Sequence, residues 1–497
     1  MYNGQYMLVN DFSGGMTIDV PSTNIKLNQA TDCDNMIILP QGSGVRSRPG
    51  DVVFNATAMN SGADVQGVGY FLESDGTEFL VAIAGAKIYK SDSLDGTMDD
   101  ITDGYAGITA GQDNIWTFLT FNDQCLGFGG PKNSPDAAIT YTGTGNVAAL
   151  ANAPAAYGAL TANNRVFAYR TAADPSSIFW TIIGDPTDWS GSGSGSVVIG
   201  SLEDNEKITC AKVISTNYML VFKETSTHQI VISSAPFSNY TLFDDVGCVG
   251  KDAAVNIDGT VFFISQNRRM YSTNGETIKE YPGFDKMFDQ LKAGENSYIH
   301  GRRIQGKDFD WLLWVVRWST LDDDDEIAFI WDVRNNCWMR CTAGFSHGCG
   351  MTTNVGDVYF GSHDGKVYKT MQEGNYNDDS ETGDGDITAT WQSGWINPDQ
   401  IDKITQVGKI TVTGQYKASG NVTLKYGHDG LAAEKTVTIS QTRPLTTGLY
   451  FQRSTRVMGR GNTFQYQIVG SSDTIDIEVF SLTLAGKTYG QKDQEQS

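Results

Sequence analysis

The sequence predicts an all-β protein: a β-propeller of six or seven blades, preceded by an extended N-terminal arm and followed by an antiparallel β-sandwich or barrel domain. Three observations lead there. The 497 residues include 55 glycines, 12 prolines, 21 tyrosines, 23 phenylalanines and 10 tryptophans, a mixture of turn formers and bulky strand formers that leaves little room for helix. From about residue 65 to residue 371, short alternating segments recur in groups roughly 40 residues apart, the period of a propeller blade. Beyond residue 387 strands continue without that period.

The parts follow in order. Residues 1–55 read as an arm, with Gly14-Gly15 and Gly42–Gly44 as points where it bends; the same segment can instead end in a strand that closes the propeller. Residues 56–371 hold the blades. One group runs Val68–Phe71, Glu78–Ile83 and Lys87–Ser91; another runs Ala253–Ile257, Val261–Ser265, Arg269–Ser272 and Ile278–Tyr281. A third is His300–Ile304, Asp310–Arg317, Ile327–Trp331 and Cys337–Thr342. Asp258-Gly259 and Asn274-Gly275 supply the positive φ of tight hairpin turns. Further groups start near Trp116, Tyr157, Ile208 and Ser346, and the last has only three strands before Met371. Residues 372–387 are polar and acidic, as a linker is. Residues 388–490 alternate as a C-terminal β-domain, and 491–497 form a polar tail.

Charge excludes some functions. Lys and Arg number 36 against 58 Asp and Glu, a net charge of −22, with −24 on residues 1–387 and +2 on the rest. A protein that grips DNA by neutralising phosphates is disfavoured. No secretory leader is expected from Met1–Gln5, and the most apolar run, Trp311–Val316, is far too short to span a bilayer. Seven scattered cysteines (Cys33, Cys125, Cys210, Cys248, Cys337, Cys341, Cys349) read as free, buried thiols of a chain made in a reducing cytosol.

Catalytic chemistry is sparse. The five histidines show no metal-ligand spacing, and Cys337, Cys341, Cys349 and His347 read as blade interior rather than a zinc set. Asp322–Glu326 reads as a solvated hairpin tip, and Asp378–Asp384 lacks the terminal glutamate of a calcium loop. Ser91–Thr97 resembles a sialidase aspartate box without its tryptophan. Gly344–Gly348 fits the nucleophile-elbow pattern but no helix follows. Trp331-Asp332 is a single WD pair without a Gly-His partner. No catalytic, cofactor or metal residue is nominated, and no enzyme is expected.

At the N-terminus the residues become more specific. Asp11-Phe12-Ser13-Gly14-Gly15-Met16, Asn28-Gln29-Ala30, Asp34-Asn35 and Gly42-Ser43-Gly44-Val45-Arg46-Ser47-Arg48-Pro49-Gly50 form an ordered series. It resembles the opening of the tail hub or nozzle proteins of short-tailed bacteriophages, also called DNA-stabilisation proteins. Phe179-Trp180 leading to Gly184–Trp189, Lys207–Thr209 through Leu220–Lys223, Val246–Cys248 through Phe262–Ser265, and Ile330–Asp332 through Trp338 continue the likeness over most of residues 11–342.

The resemblance implies a structural virion protein of the phage tail, assembled in the host cytoplasm as a ring of six copies. It implies docking on the tail adaptor, contacts with tail fibres or a tail-tip protein, and passage of viral double-stranded DNA through the lumen without specific binding. No membrane insertion and no cofactor are implied. An acidic wall repels phosphate and suits such a conduit. Phe12, Gly14, Gly15, Arg46 and Arg48 are the candidate assembly-arm residues, with the two arginines pairing to acids. Two rival readings remain: a receptor- or carbohydrate-binding virion protein stacking sugars on Tyr105, Trp189 or Tyr376, and a propeller glycoside hydrolase, for which no acid pair stands out.

Overall fold

Seven four-stranded antiparallel blades form the propeller in a computed structural model of the chain, six as separate sheets and one within a larger sheet. The structure describes residues 5–489 except 202–205, 235, 293, 296–297, 319–325, 343–346, 376, 380–384, 397–403, 417–420, 430, 441–448 and 472–476. Blade 1 is Val65–Leu72, Glu78–Ala84, Lys87–Asp92 and Asp99–Asp100. Blades 2 to 6 follow as consecutive meanders over 116–149, 156–198, 208–243, 254–280 and 300–341. Blade 7 takes His347–Thr352, Val358–Ser362 and Val367–Gln372 from the end of the propeller and its fourth, outer strand, Gly50–Val53, from the N-terminal segment. The three-stranded last group of the sequence is thereby completed. The innermost strands of successive blades lie side by side around the whole ring, with Val65–Leu72 between Trp116–Thr120 and His347–Thr352.

Local chemistry explains the hairpins. Asp258 and Gly259 both have positive φ, 49° and 86°, and join the directly paired Ile257 and Thr260, as a two-residue turn requires. Asn274-Gly275 acts differently. It sits in a four-residue loop between paired Thr273 and Ile278, where the Asn274 side chain accepts from the N–H groups of Glu276 and Thr277. Blade 1 approaches blade 2 through glycine: a Cβ on Gly69 would lie 2.3 Å from Cβ of Phe118.

The C-terminal residues do not form a body of their own. Ala30–Asp34 runs parallel to the outer strand of blade 6, meeting it at Asp34 and Arg340, and antiparallel to Thr388–Ser393 on its other side. Phe464–Ser471, Asn421–His428 and Leu431–Ser440 extend the same sheet to nine strands. A second sheet holds Met36–Ile38, Val45–Ser47, Ile477–Tyr489, Ile404–Tyr416 and Leu449–Gly461, with Gln5–Val9 also on Ile477–Tyr489. The inner faces of these sheets, including Ile410, Leu424, Tyr466 and Leu482, share one apolar core with blades 5 and 6. Trp311–Val316 lies wholly inside that core. Among the described residues no helix is long and apolar enough to cross a membrane.

Candidate functional site

The five arm residues lie along a strap that joins the C-terminal sheets to the propeller. Asp11 accepts from the Ser13 N–H (2.8 Å) through Oδ1 and from Asn28 Nδ2 (3.2 Å) through Oδ2. The Phe12 N–H donates to the Gly42 carbonyl (2.9 Å), while its ring, fully buried, meets Trp391 edge-on at 5.1 Å. Thus Asp11–Met16, Asn28–Ala30 and Gly42, separate along the chain, meet at one node.

Gly14 and Gly15 are close-packing points rather than bends. A Cβ on Gly14 would sit 2.6 Å from the Asn28 carbonyl oxygen. Gly15 has φ +57°, and a Cβ there would lie 2.6 Å from the Trp338 carbonyl oxygen and 2.7 Å from Cys337 Sγ. Met16 N–H then donates to that Trp338 carbonyl (2.7 Å), stitching the strap to blade 6.

Past Asn35 the strap reaches two buried arginines. Arg46 donates through Nη2 to Glu373 (2.8 Å) and Asp308 (3.3 Å). Arg48 presents its fork to Asp378: Nη1 donates to Oδ1 at 2.9 Å and Nη2 to Oδ2. Its Nε donates to Asn35 Oδ1 (3.2 Å), and Nη1 also to the Pro49 carbonyl (3.0 Å). Burial alone would lower the guanidinium pKa, yet the Asp378 carboxylate holds it above its ordinary value, while burial pushes the Asp378 carboxyl up against the pull of Arg48. Asp378 Oδ1 also accepts from the Asp51 N–H (3.0 Å), and Asp379 from the Val53 N–H (2.7 Å). Asp51 in turn accepts from the Met371 N–H (3.0 Å) and from the Thr370 hydroxyl. The strand that closes blade 7 is therefore buckled at the Arg48 fork.

Two expectations are corrected here. The candidate assembly-arm residues Phe12, Gly14, Gly15, Arg46 and Arg48 are engaged within this chain rather than held out as an arm, because the glycines fit against Asn28 and Trp338 and the arginines find acids at 308, 373 and 378. The predicted linker is docked as well: Asn377–Asp378 pairs with Gly385–Asp386, and Glu373, Asp378 and Asp379 hold the strap. Asp378, weighed in the sequence only as part of a calcium-like loop, is the partner of Arg48 that sequence reasoning missed. Its signal was an acid in a polar segment beside a propeller end that lacked one strand.

A second polar network locks the ring, and no sequence spacing announced it. His363 Nδ1 is 3.1 Å from Asp64 Oδ1, and its Nε2 is 3.1 Å from Glu326 Oε1 and 3.0 Å from the Tyr298 hydroxyl. Arg317 stacks on Tyr298, 3.4 Å from the ring centroid, and reaches Glu295 (2.8 Å) and Asp113 (3.2 Å). Burial pulls the His363 pKa down, but hydrogen bonds and charge from Asp64 and Glu326 outweigh it and raise it to about 10. An imidazolium held between two carboxylates ties blades 1, 6 and 7 together; it is poorly suited to shuttle protons at neutral pH. Glu326, read as part of a solvated loop, is fully buried here; Asp322–Asp325 lie outside the described residues.

The remaining candidates are dispersed. All seven cysteines are free and buried, and among the described residues no group of acids, histidines and cysteines could hold a metal ion. Asp95 is absorbed in its own turn, accepting from the Thr97 N–H (2.8 Å) and Ser91 hydroxyl (3.1 Å). Trp189 packs on Phe128 and donates to the Pro186 carbonyl (2.8 Å), and the Tyr105 hydroxyl donates to Ala137 (3.2 Å). Tyr376, Gly344–Ser346 of the elbow-like motif, Ser380–Asp384 of the calcium-like loop and the 491–497 tail fall outside the described residues.

No known family profile matches the chain, and no curated protein does. Solved structures do. One is the crystal structure of the WD40 β-propeller domain of Doa1, at 14% identity and a TM-score of 0.41, covering 65% of this chain and 98% of that one. Another is YCF48 from Cyanidioschyzon merolae, at 10% identity and a TM-score of 0.41, covering 63% and 96%.

Proposed function

We propose that the chain is a non-enzymatic structural protein of a phage tail: the subunit of a nozzle ring that docks below the portal and adaptor, retains packaged DNA and conducts it during ejection. One observation carries the reading. The N-terminal series on which the nozzle resemblance rests, Asp11–Met16, Asn28–Ala30, Asp34-Asn35 and Gly42–Gly50, is a single mechanical device, a strap whose every piece has a steric or hydrogen-bonded partner. Likeness in residues with such demanding geometry is a stronger reason to expect the same build than likeness scattered over a surface. The −24 charge of residues 1–387 supports a wall that phosphate slides past. With the strap committed inside the chain, contacts between copies, adaptor and fibres fall to other surfaces.

The test is the solution mass of the purified chain with and without an adaptor ring, followed by negative-stain imaging. Six copies of 54.1 kDa give about 325 kDa and an annulus with a central hole, alone or on the adaptor. A stable trimer, or a monomer indifferent to the adaptor, refutes the nozzle.

A further inference from the structure

A cleft among blades 2 to 5 of this acidic molecule gathers positive charge. A cavity of about 150 Å³ between blades 2, 3, 4 and 5 is lined by Lys132, Tyr157, Arg170, Lys207, Glu224 and Lys251. Four cations face one carboxylate there, in a chain whose net charge is −22.

Two of the cations are buried and incompletely used. Arg170 is 7% exposed and sits at φ +58°, a costly conformation for a long side chain. Its guanidinium lies 4.7 Å from the centroid of the Tyr157 ring, and its Nη1 donates to the Ile208 carbonyl (3.3 Å). Its Nε is buried with no hydrogen-bond partner among the described residues. Lys251 is 2% exposed and lies 4.9 Å from the same ring centroid. Its ammonium donates to the carbonyls of Ile115 (2.9 Å) and Phe128 (3.3 Å), leaving one proton uncommitted. Asn133 Oδ1 accepts from both Lys207 Nζ (2.9 Å) and Arg170 Nη2 (3.5 Å), holding rim and floor side by side.

Buried cations without a counter-charge are expensive. Burial, with Arg170 adding to it against Asp252, takes the Lys251 ammonium down to about 7, and burial likewise lowers Arg170. Asp252 turns toward Arg302, 3.9 Å away. Against its four cations the cleft itself holds a single carboxylate, Glu224.

We propose that this cleft binds an oxyanion of the phosphate class, with Arg170 and Lys251 at its floor and Lys132 and Lys207 at its rim. A carboxylate would cancel one charge where the cleft carries a surplus of three, whereas a phosphate brings up to two charges and several acceptor oxygens for converging donors. The size agrees: the cavity is below the roughly 300–1,000 Å³ of drug-sized sites, so a phosphate group enters and a whole nucleotide does not. A nucleic-acid backbone phosphate shares the acceptor oxygens but carries one charge only, so free phosphate fits the surplus better and the backbone is the alternative source. The inference stands apart from the nozzle reading and holds or fails without it.

The experiment is a titration of the full chain with inorganic phosphate at fixed ionic strength, read by calorimetry and by phosphorus NMR line broadening. One saturable site is expected, weakened at least tenfold by Lys132→Gln/Lys207→Gln and abolished by Lys251→Met. Glu224→Gln removes the opposing charge and tightens binding, a gain that misfolding cannot mimic. Displacement of phosphate by a short duplex of mixed sequence identifies the source as DNA backbone; no displacement identifies free phosphate. Absence of saturable phosphate binding, or binding indifferent to the rim and Glu224 substitutions, overturns the proposal.

Discussion

Replacing Arg48 by methionine removes the cation around which three separate pieces of chain are buckled. The stem survives, but Asp378 is left 3% exposed opposite a thioether, with the Asp51 N–H as its remaining partner at Oδ1, and Asn35 Oδ1 loses its donor. Removing one member of a buried ion pair costs about 3–5 kcal/mol, mostly the penalty of the stranded charge. Arg48→Met/Asp378→Leu strands no charge, only the Asp51 N–H and Asn35 Oδ1, so it is expected to be the more stable of the two variants even though it removes more native hydrogen bonds. The effect is local, so hydrogen exchange by mass spectrometry is the assay, on peptides covering Gly50–Val53 and Val367–Gln372, with blade 3 as internal reference. If exchange there proceeds by local opening, a loss of about 3 kcal/mol accelerates it by roughly two orders of magnitude. Unchanged exchange in Arg48→Met, or a double variant as open as the single one, refutes the buckle.

Two further outcomes are expected. His363 has a folded pKa near 10 against an ordinary 6.5; a raised value stabilises fully below about pH 6.5 and is lost as pH rises through 10. The stability gap between the wild type and His363→Gln, measured by urea unfolding, therefore narrows steadily from pH 7 to pH 10.5; a constant gap contradicts the imidazolium. Gly15→Ala places a methyl 2.6 Å from the Trp338 oxygen at φ +57° and is expected to cost more than about 1 kcal/mol, seen as a lower thermal midpoint. Gly76→Ala, also at positive φ but with no atom within 4 Å, is its control for backbone strain alone, and equal losses in the two would contradict the packing argument.

The propeller was legible because its signals are local. The short apolar run Val261–Ile264 and a turn at Asp258-Gly259 are written within a dozen residues, and the observed strands fall within a residue or two of the expected ones. Even the missing strand of blade 7 left a trace, as a group that stopped at three. What was not legible is long-range. Arg48 and Asp378 are 330 residues apart, and the His363 cluster draws on residues 64, 298, 317 and 326. No periodicity links such positions. The glycines at 14 and 15 misled for a related reason: glycine marks both a bend and a place where another backbone comes too close for a Cβ, and only the partners, Asn28 for Gly14 and Trp338 for Gly15, decide between them.

The strap also sets an order of events. Ala30–Asp34 can pair only with Cys337–Cys341 and Thr388–Ser393, Gly50–Val53 only with Val367–Gln372, and Gln5–Val9 only with Ile477–Tyr489. These three strands therefore meet their partners only late in synthesis, whereas Met36–Ile38 and Val45–Ser47 pair with each other and blades 1 to 6 are each contiguous in sequence. Pairings of such separation carry a closure cost that slows folding and exposes edges in the meantime. The same arrangement gives the finished molecule its integrity. Opening the propeller at blade 7 requires breaking the Arg48 fork, and peeling the C-terminal sheets requires stripping Ala30–Asp34 from blade 6, so neither half loosens without disturbing the strap. A chain built this way trades folding speed for a propeller and C-terminal sheets that share one apolar core and are locked by one strap.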